Sequence, residues 1–287
     1  MRWMSKAIQV CLLINCRNCS LTKSDTSDPF EVRIASHKGL GLFATQSIKR
    51  GTRLLAEEPL IVVSEQQDVT HIWKELKKLT PEQHNAMSAL HYEPSTLDTR
   101  LAAGIQSRLT TRQQYSGRSL HAAVEDEKKL HAIFKSNALP MGRDSKNKRG
   151  LFLKASRINH SCTPNVHVDY NPTVSMLTVH ATRDINENEE LHYSYIPHIC
   201  KSPAQRDKGL RFWRFSCDCA ACEGRAVEAM EQRRRKIEQL FTGLANYDSG
   251  VMISSTPKGP AEALKSAEEA VSLLRQHGYE DMELAFA

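Results

Sequence analysis

Between Phe30 and Ser64 apolar residues come in short alternating bursts. FEVRIAS alternates, GLGLFAT follows, and the stretch from Thr52 to Ser64 is rich in leucine and β-branched residues broken by Pro59. A period of two predicts short strands with one face against a core. From Thr70 to about Asn137 the spacing becomes helical. Leu120, Val124, Leu130 and Phe134 share a face that also brings Asn137 round, so a helical insertion within a β domain is predicted. Met141 to Gly150 is polar and basic with a glycine near each end, and reads as an exposed loop. VHVDY and SMLTVHA then predict two strands joined by a turn around Pro172, and Glu190 to Ile196 predicts another strand. Beyond Cys222 the helical period returns twice, separated by a linker from Ser249 to Pro260, and a third helix begins at Tyr279. The run Arg233 to Lys236 is expected to be a solvated helix face.

With 287 residues the chain can bury a substantial core, as one large domain or two smaller ones. A net charge of +6 is spread too thinly to form a nucleic-acid footprint, so direct nucleic-acid binding is not expected. No apolar run approaches the roughly 18 to 20 residues that span a bilayer, so no membrane partner is expected either. Arg2 and Lys6 precede a short apolar stretch, but Cys16, Arg17 and Asn18 make a poor cleavage site. The first 29 residues therefore read as a tail rather than a secretion signal.

The eight cysteines are Cys11, Cys16, Cys19, Cys162, Cys200, Cys217, Cys219 and Cys222. They are too clustered for a disulfide framework and point to a metal in a reducing compartment, nucleus or cytoplasm. Cys217, Cys219 and Cys222 supply three thiolates in one loop. A structural zinc needs a fourth ligand, for which Cys162 is the candidate, and four thiolates leave no position for a catalytic water. The alternative is four unrelated reduced thiols. Cys16 and Cys19 form a lone pair with no partner pair nearby. Cys162 closes a second unusual feature, Asn159-His160-Ser161-Cys162, which puts an amide, an imidazole, a hydroxyl and a thiol at one turn.

Four segments together carry a resemblance: KGLGLFAT (Lys38 to Thr45), RINHSCTPN (Arg157 to Asn165), EELHYSY (Glu189 to Tyr195) and FSCDCAAC (Phe215 to Cys222). Their order and spacing resemble a SET-domain lysine methyltransferase with its post-SET zinc loop. The helical insertion and helical tail resemble the SMYD group, although the interval that holds a MYND finger there has no cysteine here. Partner binding through such a finger is therefore not carried over. The fold class implied is α+β: a mainly β SET fold of small curved sheets, an inserted helical region and a C-terminal α-helical appendage. The expected division is a tail (1–29), a SET domain (30–199) with its insertion at about 70–137, a zinc loop (200–224) and a helical region (225–287).

The resemblance implies S-adenosylmethionine as methyl donor, structural zinc, and a protein substrate, histone or non-histone, whose lysine enters a narrow channel. Gly39, Leu40 and Gly41 would meet the amino-acid end of the cofactor through their backbone. Asn159 would hold the same end, with the backbone of His160 on the adenine edge and Asn137 as a second cofactor asparagine. Phe215, with Trp213 beside it, would pack on the adenine. Tyr195 is implied as the catalytic tyrosine. Tyr193, two residues earlier on the same strand face, would limit the methyls added to one or two. Asn188 stands where glycine is usual before EEL and tolerates the left-handed turn. Two other readings stay open: a catalytically weak SET-fold scaffold that binds partners through its helical tail, and a thiol hydrolase built on Cys162 and His160. A dyad of near neighbours is poorly oriented, and zinc would consume the thiolate.

Overall fold

The computed structural model describes residues 28–36, 38–64, 69–93, 99–111, 117–142, 148–196 and 201–276. Cys11, Cys16, Cys19, Cys200, nearly all of the expected tail and the stretch from Tyr279 lie outside these residues.

Strands β1 (Phe30–Ala35) and β2 (Gly39–Ala44) form an antiparallel hairpin. Its turn needs φ of +77° at Gly39, a conformation that glycine adopts without a Cβ clash. Strand β3 (Arg53–Glu57) joins β8 (Val166–Asn171) and β9 (Met176–Ala181) in the order β3-β9-β8. Strand β4 (Ile61–Ser64) joins β5 (Leu139–Pro140) and β6 (Lys148–Leu151) in the order β4-β6-β5. The two-residue strands β7 (Asn159–His160) and β10 (His192–Tyr193) run parallel. Leu42, Ala44, Leu54, Phe152, Ile158, Val166, Leu177, Val179 and Leu191 fill the core between these small sheets.

Among the described residues, four helices lie between β4 and β5: α1 (Val69–Leu76), α2 (Pro81–Ser88), α3 (Thr99–Thr111) and α4 (Gly117–Asn137). The face of α4 read from the sequence does point inward. Leu130 and Phe134 pack with Ile61, Val63 and Leu151, while Val124 packs with Ile105 and Leu109 of α3, with Leu120 at the margin. After β10 come α5 (Pro203–Leu210), α6 (Val227–Asp248) and α7 (Pro260–Gln276). Thr80 and Ser202 close reciprocal capping boxes at the starts of α2 and α5. Gly243 of α6 lets the linker pass, since a Cβ there would lie 2.6 Å from the Ser255 carbonyl oxygen. Small sheets, an inserted helical layer and a helical C-terminal pair make this an α+β fold. Among the described residues no helix is long and apolar enough to cross a membrane.

Three expectations need correction. Lys148 to Gly150 are not loop but part of β6, because β4 and β5 supply backbone partners on both sides that outweigh the polar local composition. Glu190 to Ile196 is not a continuous strand. Leu191 N–H donates to the Leu42 carbonyl, whereas the carbonyls of His192 and Tyr193 accept from Asn165 and Ser161, so the segment changes partners within three residues. Arg234, expected in a solvated run, is 2% exposed, because its guanidinium is compensated by Glu231. Asn188 does take the left-handed turn, at φ of +65°.

Candidate active site and thiol cluster

Residues 159–165 lie against residues 190–195, which brings the two chemically unusual segments of the sequence together. The Tyr195 hydroxyl donates to the Ile158 carbonyl oxygen at 2.9 Å, and its backbone N–H donates to His160 Nδ1 at 3.0 Å. With Nδ1 accepting, the neutral His160 ring carries its proton on Nε2, 3.4 Å from Cys162 Sγ. The imidazole is thus fixed at both nitrogens.

Rings surround Tyr195. Tyr193 lies 4.9 Å away, Trp213 5.1 Å, His160 5.4 Å and Phe215 6.3 Å edge-on, all between centroids. Trp213 is anchored by its indole N–H to the Ser136 carbonyl at 3.0 Å. Burial pushes both tyrosine hydroxyls up, with the Glu190 charge adding at Tyr195 and Tyr195 adding at Tyr193. Both therefore remain neutral hydroxyls at physiological pH.

Beside this cage, Asn159 Nδ2 donates to Glu190 Oε1 at 2.7 Å and to the Leu40 carbonyl at 3.3 Å. A Cβ on Gly41 would collide with Glu190 Oε1 and lie 2.9 Å from Asn159 Nδ2. Burial works to raise the Glu190 carboxyl, but His192 and Asn159 outweigh it and hold it below its ordinary value. Lys38, one residue before Gly39, pairs with Asp218 at 2.9 Å. The β1–β2 turn is thereby tied to the cysteine loop.

The structure brings Gly41, Leu40, Asn159, His160, Tyr193, Tyr195 and Phe215 into one region. Gly39 shapes its turn, with open space where a Cβ would stand. At the end of α4, Asn137 Nδ2 donates to the carbonyls of His91 and Ile133, both at 2.7 Å. Its neighbour Ser136 is the residue that holds Trp213. Glu190 was not singled out in the sequence. Its place in the EEL segment was the available signal.

The ligand atoms of Cys162, Cys217, Cys219 and Cys222 all lie within 4.8 Å of one another. Cys162 Sγ is 3.7 Å from that of Cys222 and 4.0 Å from that of Cys217. Mutual hydrogen bonding splits the thiols: Cys219 is driven down and Cys222 falls to about 7, whereas Cys162 and Cys217 are pushed up. Four thiols so close cannot all ionise without a cation among them. Arg206, Glu231 and Arg234 pack behind the cluster, and burial works against the Arg206 charge while Cys222 and Glu231 outweigh it and raise its pKa. Sequence reading missed all three.

The profile of the SET-domain family matches residues 39–196, more than half of the chain. The chain belongs to the SET-domain family. It is 32% identical over 249 residues to the histone-lysine N-methyltransferase set5 of Schizosaccharomyces pombe, covering 83% of this chain and 65% of that protein. Over 88 residues it is 39% identical to the histone-lysine N-methyltransferase SET5 of Scheffersomyces stipitis, covering 30% of this chain and 18% of that one. The N-lysine methyltransferase SMYD2-B of Xenopus laevis is 33% identical over 87 residues, 30% of this chain and 20% of that one. The chain therefore spans less than two thirds of each of these relatives. Cys162, inside the matched region, and Cys217, Cys219 and Cys222, beyond it, bring four converging sulfurs that fit a tetrahedral zinc, whose preferred ligands are thiolates. The close approach at Gly41, the Asn159 amide and the aromatic walls fit a cofactor with a zwitterionic end and a purine.

Proposed function

We propose that the chain is an S-adenosylmethionine-dependent protein-lysine N-methyltransferase carrying a structural zinc on Cys162, Cys217, Cys219 and Cys222. The observation that carries this reading is the Tyr195 hydroxyl, bonded to the Ile158 carbonyl inside an aromatic cage that adjoins Gly41 and Asn159. The names of the relatives support lysine of a protein, histone or non-histone, as the acceptor. When bound, S-adenosylmethionine supplies an electrophilic methyl on a sulfonium.

The chain's own residues supply position and electrostatics. The backbone of Gly39, Leu40 and Gly41, with the Asn159 amide, holds the amino-acid end of the cofactor. The backbone of His160 takes the adenine edge, and Phe215 packs on the ring. Asn137, whose Nδ2 is held by the His91 and Ile133 carbonyls, would contribute as a second cofactor asparagine through its side-chain oxygen. A lysine amine, whose ordinary pKa is roughly 10.4, must be neutral to attack. Walls of Tyr193, Tyr195 and Trp213 disfavour its charged form by desolvation. The Tyr195 hydroxyl and the Ile158 carbonyl present two fixed oxygens that orient the amine and stabilise positive charge on the transferring methyl. The Tyr193 hydroxyl narrows the channel and favours one or two methyls. Reduced thiols suit the nucleus or cytoplasm.

Calorimetric titration of the zinc-loaded chain with S-adenosylmethionine, beside Asn159→Ala, is the primary test. Saturable binding by the parent that the variant loses is the expected result. A folded, zinc-loaded parent that binds nothing would shift the assignment to the scaffold. Mass spectrometry of modified substrate then tests Tyr193, and a dominant trimethyl product would overturn its role.

A further inference from the structure

Behind the thiol cluster the protein buries two cations against one carboxylate. Arg206 of α5 and Arg234 of α6 are 1% and 2% exposed, and Glu231 of α6 is 9% exposed. Glu231 Oε1 accepts from Arg206 Nη1 at 2.9 Å and from Arg234 Nη1 at 2.8 Å. Arg206 Nη1 also donates to the Lys201 carbonyl, and its Nη2 donates to the Ala221 carbonyl at 3.1 Å and approaches Cys222 Sγ at 3.7 Å. Arg234 Nη2 reaches the Cys162 carbonyl at 3.4 Å. The guanidiniums thus grip both arms of the cluster, the central turn through Cys162 and the loop through Ala221 and Cys222.

Glu231 is shared by both guanidiniums, and buried charge is strongly disfavoured unless it is compensated. Cys222 Sγ, 3.7 Å from Arg206 Nη2, would add negative charge as a thiolate. Zinc on four thiolates leaves the cluster formally anionic, and guanidinium is well suited to such partners because it is planar, weakly hydrated and always charged. Outer residues that hydrogen-bond metal ligands tune how firmly the metal is held.

We infer that Arg206, Glu231 and Arg234 form the outer layer of the metal centre and couple metal occupancy to the docking of α6 and α7 on the catalytic domain. The inference rests on the zinc assignment above, not on methyl transfer. Coupling is reciprocal: metal favours the docked helices, and docked helices favour retention of metal. Ile237 and Leu240 continue the buried face of α6, and Ala270 and Leu274 bury α7, so loss of the charged anchor should loosen the pair as a unit.

The test uses the full chain with zinc content measured throughout. On chelation, hydrogen exchange across Val227–Asp248 and Pro260–Gln276 should accelerate while β3, β8 and β9 stay protected. Arg234→Met should release zinc to a competing chelator about tenfold faster or more, the range seen for outer-shell changes. Glu231→Gln, which removes the competing carboxylate and keeps both guanidiniums, should not speed release. That contrast separates charge compensation from mere packing, since a packing role would weaken retention in both variants. If Arg234→Met fails to fold, the exchange experiment on the parent decides alone. Zinc-loaded protein whose α6 exchange ignores chelation overturns the coupling but leaves the zinc assignment standing. A folded chain that neither carries nor takes up zinc overturns both.

Discussion

Gly41 is defined by what cannot fit there. A methyl group would collide with Glu190 and crowd Asn159, so Gly41→Ala must displace the carboxylate or the amide. We expect cofactor affinity to fall by about tenfold or more, roughly 1.4 kcal/mol, with the circular dichroism spectrum unchanged; calorimetry reads the difference. Tyr195→Phe removes one hydroxyl from a cage that otherwise keeps its shape. Its kcat should fall by about a hundredfold, the scale of losing one preorganised electrostatic contact, with cofactor Kd unchanged in a direct binding assay. Equal kcat in the variant would remove Tyr195 from the chemistry. These positions were legible in the sequence because each needs a particular residue type: no Cβ, an amide, a phenol, a thiol. Glu190, Arg206 and Arg234 were not, because a charged residue reads as surface until its burial is known. Arg234 even sat in a run of four cations whose other members could stay in water.

Between elements, the cysteine loop does more than close itself. It carries Asp218 to Lys38 beside the β1–β2 turn, and it follows Trp213 and Phe215, two walls of the cage. Removing zinc should therefore weaken S-adenosylmethionine binding, measured before and after chelation. Undiminished affinity in demonstrably metal-free protein would show that the walls stand without the metal. The indole bond to Ser136 fastens the same segment to the end of α4, and Trp213→Phe should lower unfolding free energy by about 1 kcal/mol in denaturant titration, the usual net value of such a bond. Elements with a local signal were readable. The β1–β2 and β8–β9 hairpins showed alternation, and α4 showed its inward stripe. Strand β6 was missed and β10 was read as longer than it is, since their pairing is decided by distant partners rather than by local composition.

Across the whole molecule, acidic groups beside the candidate site are expected to set the lower pH limit. Glu189 and Glu190 are both held below the ordinary carboxylate value: burial opposes this, but Arg183 with its hydrogen-bonding neighbours wins for the first, and His192 with Asn159 for the second. A depressed folded pKa contributes stability that is present above the unfolded value and lost as pH falls through the folded one. Thermal midpoints should thus hold near neutrality and drop once pH falls below about 4. Glu190→Gln should flatten that acid limb, and an unchanged limb would assign it to other groups. The site also draws on distant stretches of chain: Asn159 reaches the Leu40 carbonyl 119 residues away, and Cys162 meets Cys222 across 60. During synthesis, when Asn159 is added to the chain, neither Tyr195 nor the three loop cysteines yet exists. The growing polypeptide thus cannot assemble the pocket and its thiol cluster until Cys222 has emerged, and products of early termination or nonsense mutation before Cys222 should be inert rather than partly active.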